Sequence, residues 1–257
     1  MSFTNQKLLF ISDAHLGGFS KAENDRIETS LIRLLDYCEQ AGYRICILGD
    51  LFDYWMEYPT SVPPLGSRIL TRFRSYNKHA GNTLFITGNH DNWTRGYFEE
   101  LGFDIENDFR ILSLNSRQVL LLHGDGLIDS DSNIMRPRLH RFLRNTNFVR
   151  FYQKVFSPRT GLTIMKYFSR LNRYFERYRS DKEKLNKWAK EKLKQSQADV
   201  IICGHDHFPR FHDFDFGTFI NLGTFYKHKT LAAYNKGEFS LVVWSDTTGE
   251  LQPFHAE

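Results

Sequence analysis

Seven side chains of types that bind metal ions follow five short apolar runs of the sequence. They are Asp13, His15, Asp50, Asn89, His123, His205 and His207. Such apolar runs are typical of buried strands, and in an α/β sheet ligands gather outside the carboxyl ends of the strands. We therefore expect the seven side chains to meet at one edge of a sheet.

The chemical types of these seven groups indicate which ions they bind. Imidazole, carboxylate and carboxamide groups without a thiolate favour Mn²⁺, Fe²⁺ or Zn²⁺ over a structural cysteine–zinc site. Seven ligands exceed what one ion needs, which indicates two ions that share a carboxylate. Two ions ~3.5–4 Å apart can activate a water and hold a phosphoryl group in line with it. The predicted chemistry is dinuclear-metal hydrolysis of a phosphoric ester.

The spacing within the motifs agrees with this chemistry. In an extended segment residues two apart point the same way, so Asp13 and His15 can reach one centre. The pair His205 and His207 leaves a strand end for a turn, and its spacing alone allows one shared ion or one ion each. Any single motif is weak, because an Asp or His at a strand end more often caps or solvates it. Five such motifs in order are not explained by capping.

The elements that must position these groups alternate between strands and helices. Apolar runs at 7–12, 43–50, 82–89 and 117–124 predict strands, and helical periodicity at 26–42 and 64–79 predicts helices between them. A further short helix is expected at 93–102. The C-terminal part after residue 198 contains several strand-like runs. This alternation is typical of an α/β fold built from βαβ units.

A helical, basic segment interrupts this pattern between residues 134 and 197. It holds 18 Lys and Arg against 4 Asp and Glu, a net charge of +14, whereas the whole chain carries +4 and the remainder therefore −10. Its Phe, Tyr, Leu and Ile residues recur at helical spacing, which favours either helix packing or an apolar groove. We predict a core formed by residues 1–133 and 198–257 and an inserted helical cap at 134–197.

Composition excludes several other classes of protein. A hydrophobic fraction of 41% and a charged fraction of 25% are typical of a globular domain. No apolar run approaches the ~20 residues that cross a bilayer, and the N-terminus lacks the pattern of a signal peptide. The three cysteines lie in apolar stretches without metal-site spacing, which indicates reduced core residues of a cytoplasmic protein.

The motifs DAH, GDLFD, GNHD, HGD and GHDH, in that order, resemble the calcineurin-like metallophosphoesterase superfamily. The resemblance implies a four-layer α/β/β/α sandwich with an inserted cap and two metal ions. It assigns Asp13, His15, Asp50 and His207 to one ion. It assigns Asp50, Asn89, His123 and His205 to the other, so that Asp50 bridges. It also gives His90 a catalytic role, as transition-state stabiliser or proton donor, with Asp91 orienting it.

The position of the insertion further resembles that of the cap in bacterial UDP-2,3-diacylglucosamine pyrophosphohydrolases of lipid A synthesis. This resemblance implies release of UMP and 2,3-diacylglucosamine 1-phosphate with Mn²⁺, at the cytoplasmic face of the inner membrane. It implies substrate contacts from Asn89, His90, Asp131, Ser180 and Lys187. The interleaved aromatic and basic residues of the cap fit a diacyl chain, a diphosphate and an anionic membrane surface.

Two observations keep another substrate open. The proteobacterial enzymes of that family usually carry Arg where this sequence has His90, and the basic stretch at the start of the cap is unusually dense. Nucleases share the same metal fold, and a basic segment with interleaved aromatics can bind single strands. A nucleic-acid phosphodiesterase is therefore the alternative, although the sequence offers no separate nucleic-acid-binding domain.

Overall fold

Two β-sheets pack face to face, and helices cover both outer faces. The structure is a computed structural model and describes residues 6–126, 136, 138–179 and 182–255. The strands are β1 Lys7–Ile11, β2 Tyr43–Leu48, β3 Thr83–Ile86, β4 Phe103–Glu106, β5 Phe109–Leu114, β6 Arg117–Leu122, β7 Val200–Cys203, β8 Arg210–Phe214, β9 Gly217–Asn221, β10 Thr230–Asn235, β11 Glu238–Ser245 and β12 Glu250–Pro253. The helices are α1 Lys21–Ala41, α2 Ser67–Ala80, α3 Tyr97–Glu100, α4 Arg138–Leu143, α5 Thr146–Val155, α6 Pro158–Arg179 and α7 Lys182–Lys194.

The first sheet has seven strands in the order β12-β11-β10-β1-β2-β3-β4, and the second has five in the order β5-β6-β7-β9-β8. Strands β1 to β4 run parallel, whereas β10 pairs antiparallel with β1. In the second sheet β6, β7 and β9 run parallel. The loops after β1, β2 and β3, and those after β6 and β7, therefore leave from the carboxyl ends of parallel neighbours.

Strand β1 shows how the sequence builds the layers. Its side chains alternate between two faces, so Leu8 and Phe10 pack between the sheets while Leu9 and Ile11 pack against the helices. Both faces are buried, which explains why this strand is a continuous apolar run. Helix α1 presents its apolar stripe to the same outer layer and begins at Lys21, after Ser20 as N-cap, earlier than the predicted residue 26.

Helix α7 supplies the fourth layer. Leu185, Trp188 and Leu193 are buried against Leu120 and Ile201 of the second sheet, on the side opposite α1 and α2. The expected α/β/β/α sandwich is therefore confirmed. The packing also corrects the predicted cap boundary: α7 belongs to the core, so the cap ends before Lys182 rather than at residue 197.

The remaining inserted helices, α4 to α6, form the cap. Phe148 and Tyr152 of α5 and Met165 of α6 pack against Tyr58 and Trp93 of the core. These contacts place the cap beside the loops that follow β2 and β3. No helix in the described part of the chain combines the length and the apolar character of a membrane span.

Candidate metal centre

The five loops that carry the predicted ligands meet at one edge of the sandwich and are tied together by backbone hydrogen bonds. The amide of Asp13 donates to the carbonyl of Gly49 at 3.1 Å, and the amide of Gly204 donates to the carbonyl of His123 at 3.0 Å. The amide of His205 donates to a carboxylate oxygen of Asp13 at 3.1 Å, which connects the two sheets. The convergence expected from the sequence is therefore present.

Asp13, His15 and His207 form the first cluster of ligand atoms. His207 Nε2 lies 3.1 Å from Asp13 Oδ1, and His15 Nε2 lies 3.6 Å from the same oxygen. The Nε2 atoms of His15 and His207 face each other at 3.3 Å. Two ring nitrogens and one carboxylate oxygen thus point at a common volume, as ligands of one cation do.

Asp50, Asn89 and His123 form the second cluster. His123 Nε2 lies 3.2 Å from Asp50 Oδ2 and 3.2 Å from Asn89 Oδ1. The ring of His205 stands beside the ring of His123, with 5.1 Å between their centroids. This arrangement brings together the four residues that the resemblance assigns to the second ion.

Asp50 lies between the two clusters. Its Oδ2 atom is 3.2 Å from His123 Nε2 and 3.9 Å from His15 Nε2, while its Oδ1 atom accepts a 3.0 Å hydrogen bond from the amide of His90. One oxygen is thus fixed by the protein and the other faces both clusters. That is the placement a bridging carboxylate requires.

The backbone at the clusters is strained. Five of the seven predicted ligands adopt positive φ, a region that residues other than glycine rarely occupy. They are Asp13 at 54°, His15 at 48°, Asp50 at 53°, His205 at 73° and His207 at 65°. Strain of this kind persists only where the surrounding structure enforces it, and it gathers at functional sites.

The glycines of the motifs allow close approach between loops. A Cβ atom on Gly88 would lie against the carboxylate of Asp50, and one on Gly204 would lie against the carboxylate of Asp13 and the side chain of Ser12. Only glycine leaves room for these carboxylates. This explains the glycine directly before Asn89 and the one directly before His205.

The electrostatics of the clusters fit bound cations. Burial alone would raise the pKa of Asp13, but hydrogen bonds with His15 and His207 hold it well below its usual range. Burial alone would lower the pKa of His123, but the carboxylate of Asp50 raises it to about 10. Buried carboxylates therefore draw positive charge onto the neighbouring imidazoles, and a metal cation can take the place of those protons.

The orientation of His123 also fits a ligand. Its Nδ1 atom lies 2.8 Å from the carbonyl oxygen of Leu48. A proton on Nδ1 donates to that carbonyl and leaves the lone pair of Nε2 directed at Asp50 and Asn89, which is the usual outer-shell arrangement of a metal-binding histidine. The residues present thus suit divalent metal ions by donor type, charge and tautomer.

His90 lies beside the clusters: with His15 and Asp53 it forms a further group of side chains whose ligand atoms lie within 4.8 Å of one another. It is 5% exposed, and its Nδ1 atom lies 2.7 Å from the carbonyl oxygen of Asp53. Its Nε2 atom lies 3.9 Å from Asp50 Oδ2 and has no hydrogen-bond partner among the described residues. A buried nitrogen in this position is available to a group bound at the clusters.

The predicted role of Asp91 is corrected by its contacts. Its carboxylate accepts hydrogen bonds from the amides of Gly88 at 2.8 Å and of Asp50 and Phe52 at 3.3 Å each. Burial, followed by the charge of Asp50, raises the pKa of Asp91 to about 6. Asp91 therefore holds the loops together, and the Asp53 carbonyl rather than Asp91 orients the imidazole of His90.

Two further residues belong to the site. Asp53 Oδ1 lies 3.4 Å from His15 Nδ1, and Asp53 Oδ2 accepts a 2.5 Å hydrogen bond from Ser169 of helix α6. The motif GDLFD contains Asp53 three residues after Asp50, but the sequence alone does not indicate that Asp53 contacts His15 and the cap. Nothing in the sequence singles out Ser169, since a serine on an amphipathic helix is ordinary.

The predicted substrate contacts fall in different places. Asn89 and His90 lie at the clusters, whereas Asp131 and Ser180 lie outside the described residues. Lys187 is exposed on α7, the helix that covers the second sheet. The clusters themselves reach solvent at Asn89, His205 and His207, which are partly exposed while the other four predicted ligands are buried.

The sequence as a whole places this site in a known class. The chain belongs to the calcineurin-like phosphoesterase family, whose profile matches residues 6–209. This membership and the curated relatives of the chain make the protein a metal-dependent hydrolase.

Curated relatives extend the comparison to a particular kind of hydrolase. The chain is 30% identical over 218 residues to the UDP-2,3-diacylglucosamine hydrolase of Blochmanniella pennsylvanica, with 80% of each chain covered. It is 33% identical over 120 residues to the enzyme of the same name from Porphyromonas gingivalis, where the match spans 46% of each chain and thus less than half of the relative's length. Among solved structures, an archaeal phosphodiesterase is similar with a TM-score of 0.49 and 14% identity, over 93% of this chain and 99% of its own.

Proposed function

We propose that the protein hydrolyses the diphosphate of UDP-2,3-diacylglucosamine and releases UMP and 2,3-diacylglucosamine 1-phosphate. The observation that carries the proposal is the direct attachment of an apolar, basic cap to the metal-ligand clusters. The hydrogen bond from Ser169 to Asp53 ties helix α6 to the first cluster. Arg144 donates a 2.6 Å hydrogen bond to the carbonyl of Gly88, next to Asn89 of the second cluster.

The apolar surface of the cap supports a lipid substrate. Most of the large hydrophobic side chains that are exposed among the described residues lie on α4, α5 and α6. They are Leu139, Phe142, Leu143, Phe151, Val155, Tyr167, Phe168 and Leu171, each between 40% and 68% exposed. Exposed apolar surface of this extent marks a binding or membrane-contact face. A substrate with two acyl chains needs such a face beside the hydrolytic centre.

The clusters have the residues to hold two divalent ions. Asp13, His15, Asp50 and His207 would hold one, and Asp50, Asn89, His123 and His205 the other. When bound, such ions lower the pKa of a water and stabilise negative charge on the phosphoryl group. Mn²⁺ is our proposal for both, as the resemblance implies, and the imidazole, carboxylate and carboxamide donors are compatible with it as they are with Fe²⁺ and Zn²⁺.

The protein's own residues then position the substrate and handle the proton. His90 Nδ1 donates to the carbonyl of Asp53, so Nε2 carries a proton in the imidazolium form of the ring. In that form Nε2, which faces the clusters, can donate a hydrogen bond to a phosphoryl oxygen or a proton to the leaving phosphate. The carbonyl of Asp53 holds the His90 ring in the required orientation. We also propose that Asp131, Ser180 and Lys187 contact the glucosamine headgroup, as the resemblance implies.

The charge of the insertion supports a location on the cytoplasmic face of the inner membrane. Residues 134–197 carry a net charge of +14, of which +10 lies in residues 134–181, before α7. A basic residue close to an anionic bilayer contributes about 1 kcal/mol of attraction. The exposed apolar side chains of the cap add to this attraction by entering the interface. A protein bound in this way reaches its lipid substrate without spanning the bilayer.

The test is hydrolysis by the purified full-length protein with Mn²⁺. We expect UMP release from UDP-2,3-diacylglucosamine, measured by chromatography, and far slower release from UDP-N-acetylglucosamine, which lacks the second acyl group and the long chains. Single-stranded DNA and bis(p-nitrophenyl) phosphate are the comparison substrates. If the protein does not hydrolyse the lipid but cleaves DNA, it is a nucleic-acid phosphodiesterase and the proposal is wrong.

A further inference from the structure

A cavity of about 490 Å³ opens between the core and the cap helices α4 and α5. Five guanidinium groups line it, from Arg95, Arg136, Arg141, Arg144 and Arg150. The one acidic residue among its described lining is Asp108. None of the seven predicted metal ligands lines it, so the cavity is separate from the metal-ligand clusters.

Two of the five arginines form a fixed floor. Arg144 lies 2.9 Å from a carboxylate oxygen of Asp125, and Arg136 makes ion pairs with both Asp125 and Asp108, the latter at 2.9 Å. Burial, opposed by Asp125 and reinforced by the charge of Arg136, lowers the pKa of Arg144. The floor is therefore rigid, and its two guanidinium groups are balanced by the carboxylates of Asp125 and Asp108. The excess positive charge of the cavity comes from the arginines at its rim.

The other three arginines stand at the rim. Arg95, Arg141 and Arg150 are exposed, and Arg95 donates a 2.7 Å hydrogen bond to the neutral side chain of Gln153. Neither Arg141 nor Arg150 makes an ion pair or side-chain hydrogen bond with any described residue. Asp108, the acidic residue of the cavity lining, is already paired with Arg136. The positive charges around this cavity repel one another, and an anion bound from outside the chain would offset that repulsion.

We propose that this cavity is a phosphate-binding site, distinct from the site of hydrolysis. Guanidinium groups bind phosphate oxygens through paired, charge-assisted hydrogen bonds, and several of them around one volume suit a doubly charged phosphomonoester. The volume lies in the range of small-ligand pockets. Helix α5 also begins at the cavity, where Thr146 forms part of the wall, and a helix N-terminus adds further positive potential.

The site is placed to influence the metal-ligand clusters. The side-chain amide of Asn92, in the cavity wall, donates to the carbonyls of Gly88 at 3.1 Å and Asn89 at 2.9 Å. Arg144, in the floor, donates to the same Gly88 carbonyl. A phosphate that orders these two side chains also steadies the loop that presents Asn89. The phosphate comes from one of two sources, a dissolved phosphomonoester or a lipid headgroup.

The experiment compares exposed arginines inside and outside the cavity. The double variant Arg141→Gln/Arg150→Gln removes two rim cations, and Arg159→Gln, an exposed arginine at the start of α6, is the matched control. All are made in full-length protein that carries His123→Ala, so that phosphate bound at the metal pair does not dominate. Thermal unfolding confirms that each protein is folded.

Two probes distinguish the sources of phosphate. Equilibrium dialysis measures labelled inorganic phosphate, and sedimentation measures binding to phosphatidylcholine vesicles with or without phosphatidic acid. We expect the double substitution to weaken binding at least about tenfold in one of the two assays, and Arg159→Gln to leave it within about twofold. Loss in dialysis identifies dissolved phosphate, and loss on phosphatidic acid vesicles alone identifies a headgroup. Equal binding by all the proteins in both assays would overturn the proposal, whichever substrate the metal pair hydrolyses.

Discussion

Ser169 and Asp53 join the cap to the metal-ligand clusters through one hydrogen bond. The hydroxyl of Ser169 is buried and donates to Asp53 Oδ2 at 2.5 Å. The other oxygen of Asp53 lies 3.4 Å from His15 Nδ1. A single carboxylate therefore contacts both a cap helix and a predicted metal ligand. A movement of α6 would shift Asp53 and with it the position of His15 in the first cluster.

This relationship predicts the effect of Ser169→Ala. Loss of a buried hydrogen bond to a carboxylate lowers the free energy of unfolding by about 1–3 kcal/mol. We expect kcat/KM for the lipid substrate to fall more than that for bis(p-nitrophenyl) phosphate, because the small ester does not need the cap. Thr163→Ala, on the exposed face of the same helix, is the control. Equal losses for both substrates would show that Ser169 stabilises the fold without linking cap and site.

His123 is the sharpest test of the predicted second ion. Its Nε2 atom faces both Asp50 and Asn89, so His123→Ala removes a donor at the centre of that cluster. We expect bound Mn²⁺ to fall by one equivalent in elemental analysis and turnover to fall on the order of a thousandfold. His79→Ala replaces an exposed histidine on α2 and should retain both. Full turnover by the His123 variant would contradict a two-metal site.

The three thiols should be unreactive in the folded protein. Burial raises the pKa of Cys46 to about 12 and raises the pKa values of Cys38 and Cys203 as well. Because the thiolate is the reactive form, each thiol is protonated at pH 8 and becomes reactive only well above that pH. We expect no rapid reaction with a disulfide reagent at pH 8 and three reacting thiols after denaturation in guanidinium. One fast thiol in the native protein would show that a cysteine is accessible.

Exposed aromatics of the cap should matter for lipid and not for folding. Phe151 is 62% exposed on α5, and Phe216 is 38% exposed in the turn between β8 and β9. An apolar side chain that leaves water gains about 1.5–3 kcal/mol, so Phe151→Asp should weaken lipid turnover and vesicle sedimentation about tenfold or more. Phe216→Asp should change neither. Matched losses in the two variants would point to general destabilisation, which thermal unfolding would reveal.

The sequence predicts the core of this fold better than its edges. Strands β1, β2, β3 and β6 correspond to the predicted apolar runs, because the last four residues of each are buried and almost all of them are apolar. The sequence does not predict β4 and β5, since these strands are short or alternate with exposed residues at the margins of the sheets. The continuous helical pattern and the basic charge predict α7 as part of the cap, although Leu185, Trp188 and Leu193 pack it against the second sheet.

For the candidate site, the sequence predicts which ligands meet but not the contacts that depend on how the cap packs. The order of the motifs and the rule of strand ends bring Asp13, Asp50 and His123 together, because strand connectivity alone carries that information. The hydrogen bond between Ser169 and Asp53 depends on how the cap docks, which local periodicity does not encode. The sequence also does not predict that the carbonyl of Asp53 orients His90, because every residue has a backbone carbonyl and the sequence does not indicate which one is used.

His90 offers the decisive test of chemistry as opposed to metal binding. Its Nε2 atom is buried and directed towards the clusters, and it makes no hydrogen bond with the described residues. His90→Ala should therefore lower kcat about 10²–10⁴-fold, as loss of a positioned proton donor does, while bound Mn²⁺ stays unchanged in elemental analysis. His90→Arg places a permanent cation at this position, so we expect it to recover part of the loss by stabilising phosphoryl charge without transferring a proton. If His90→Ala instead releases metal, the histidine acts on the ligands and not on the substrate, and its catalytic assignment is wrong.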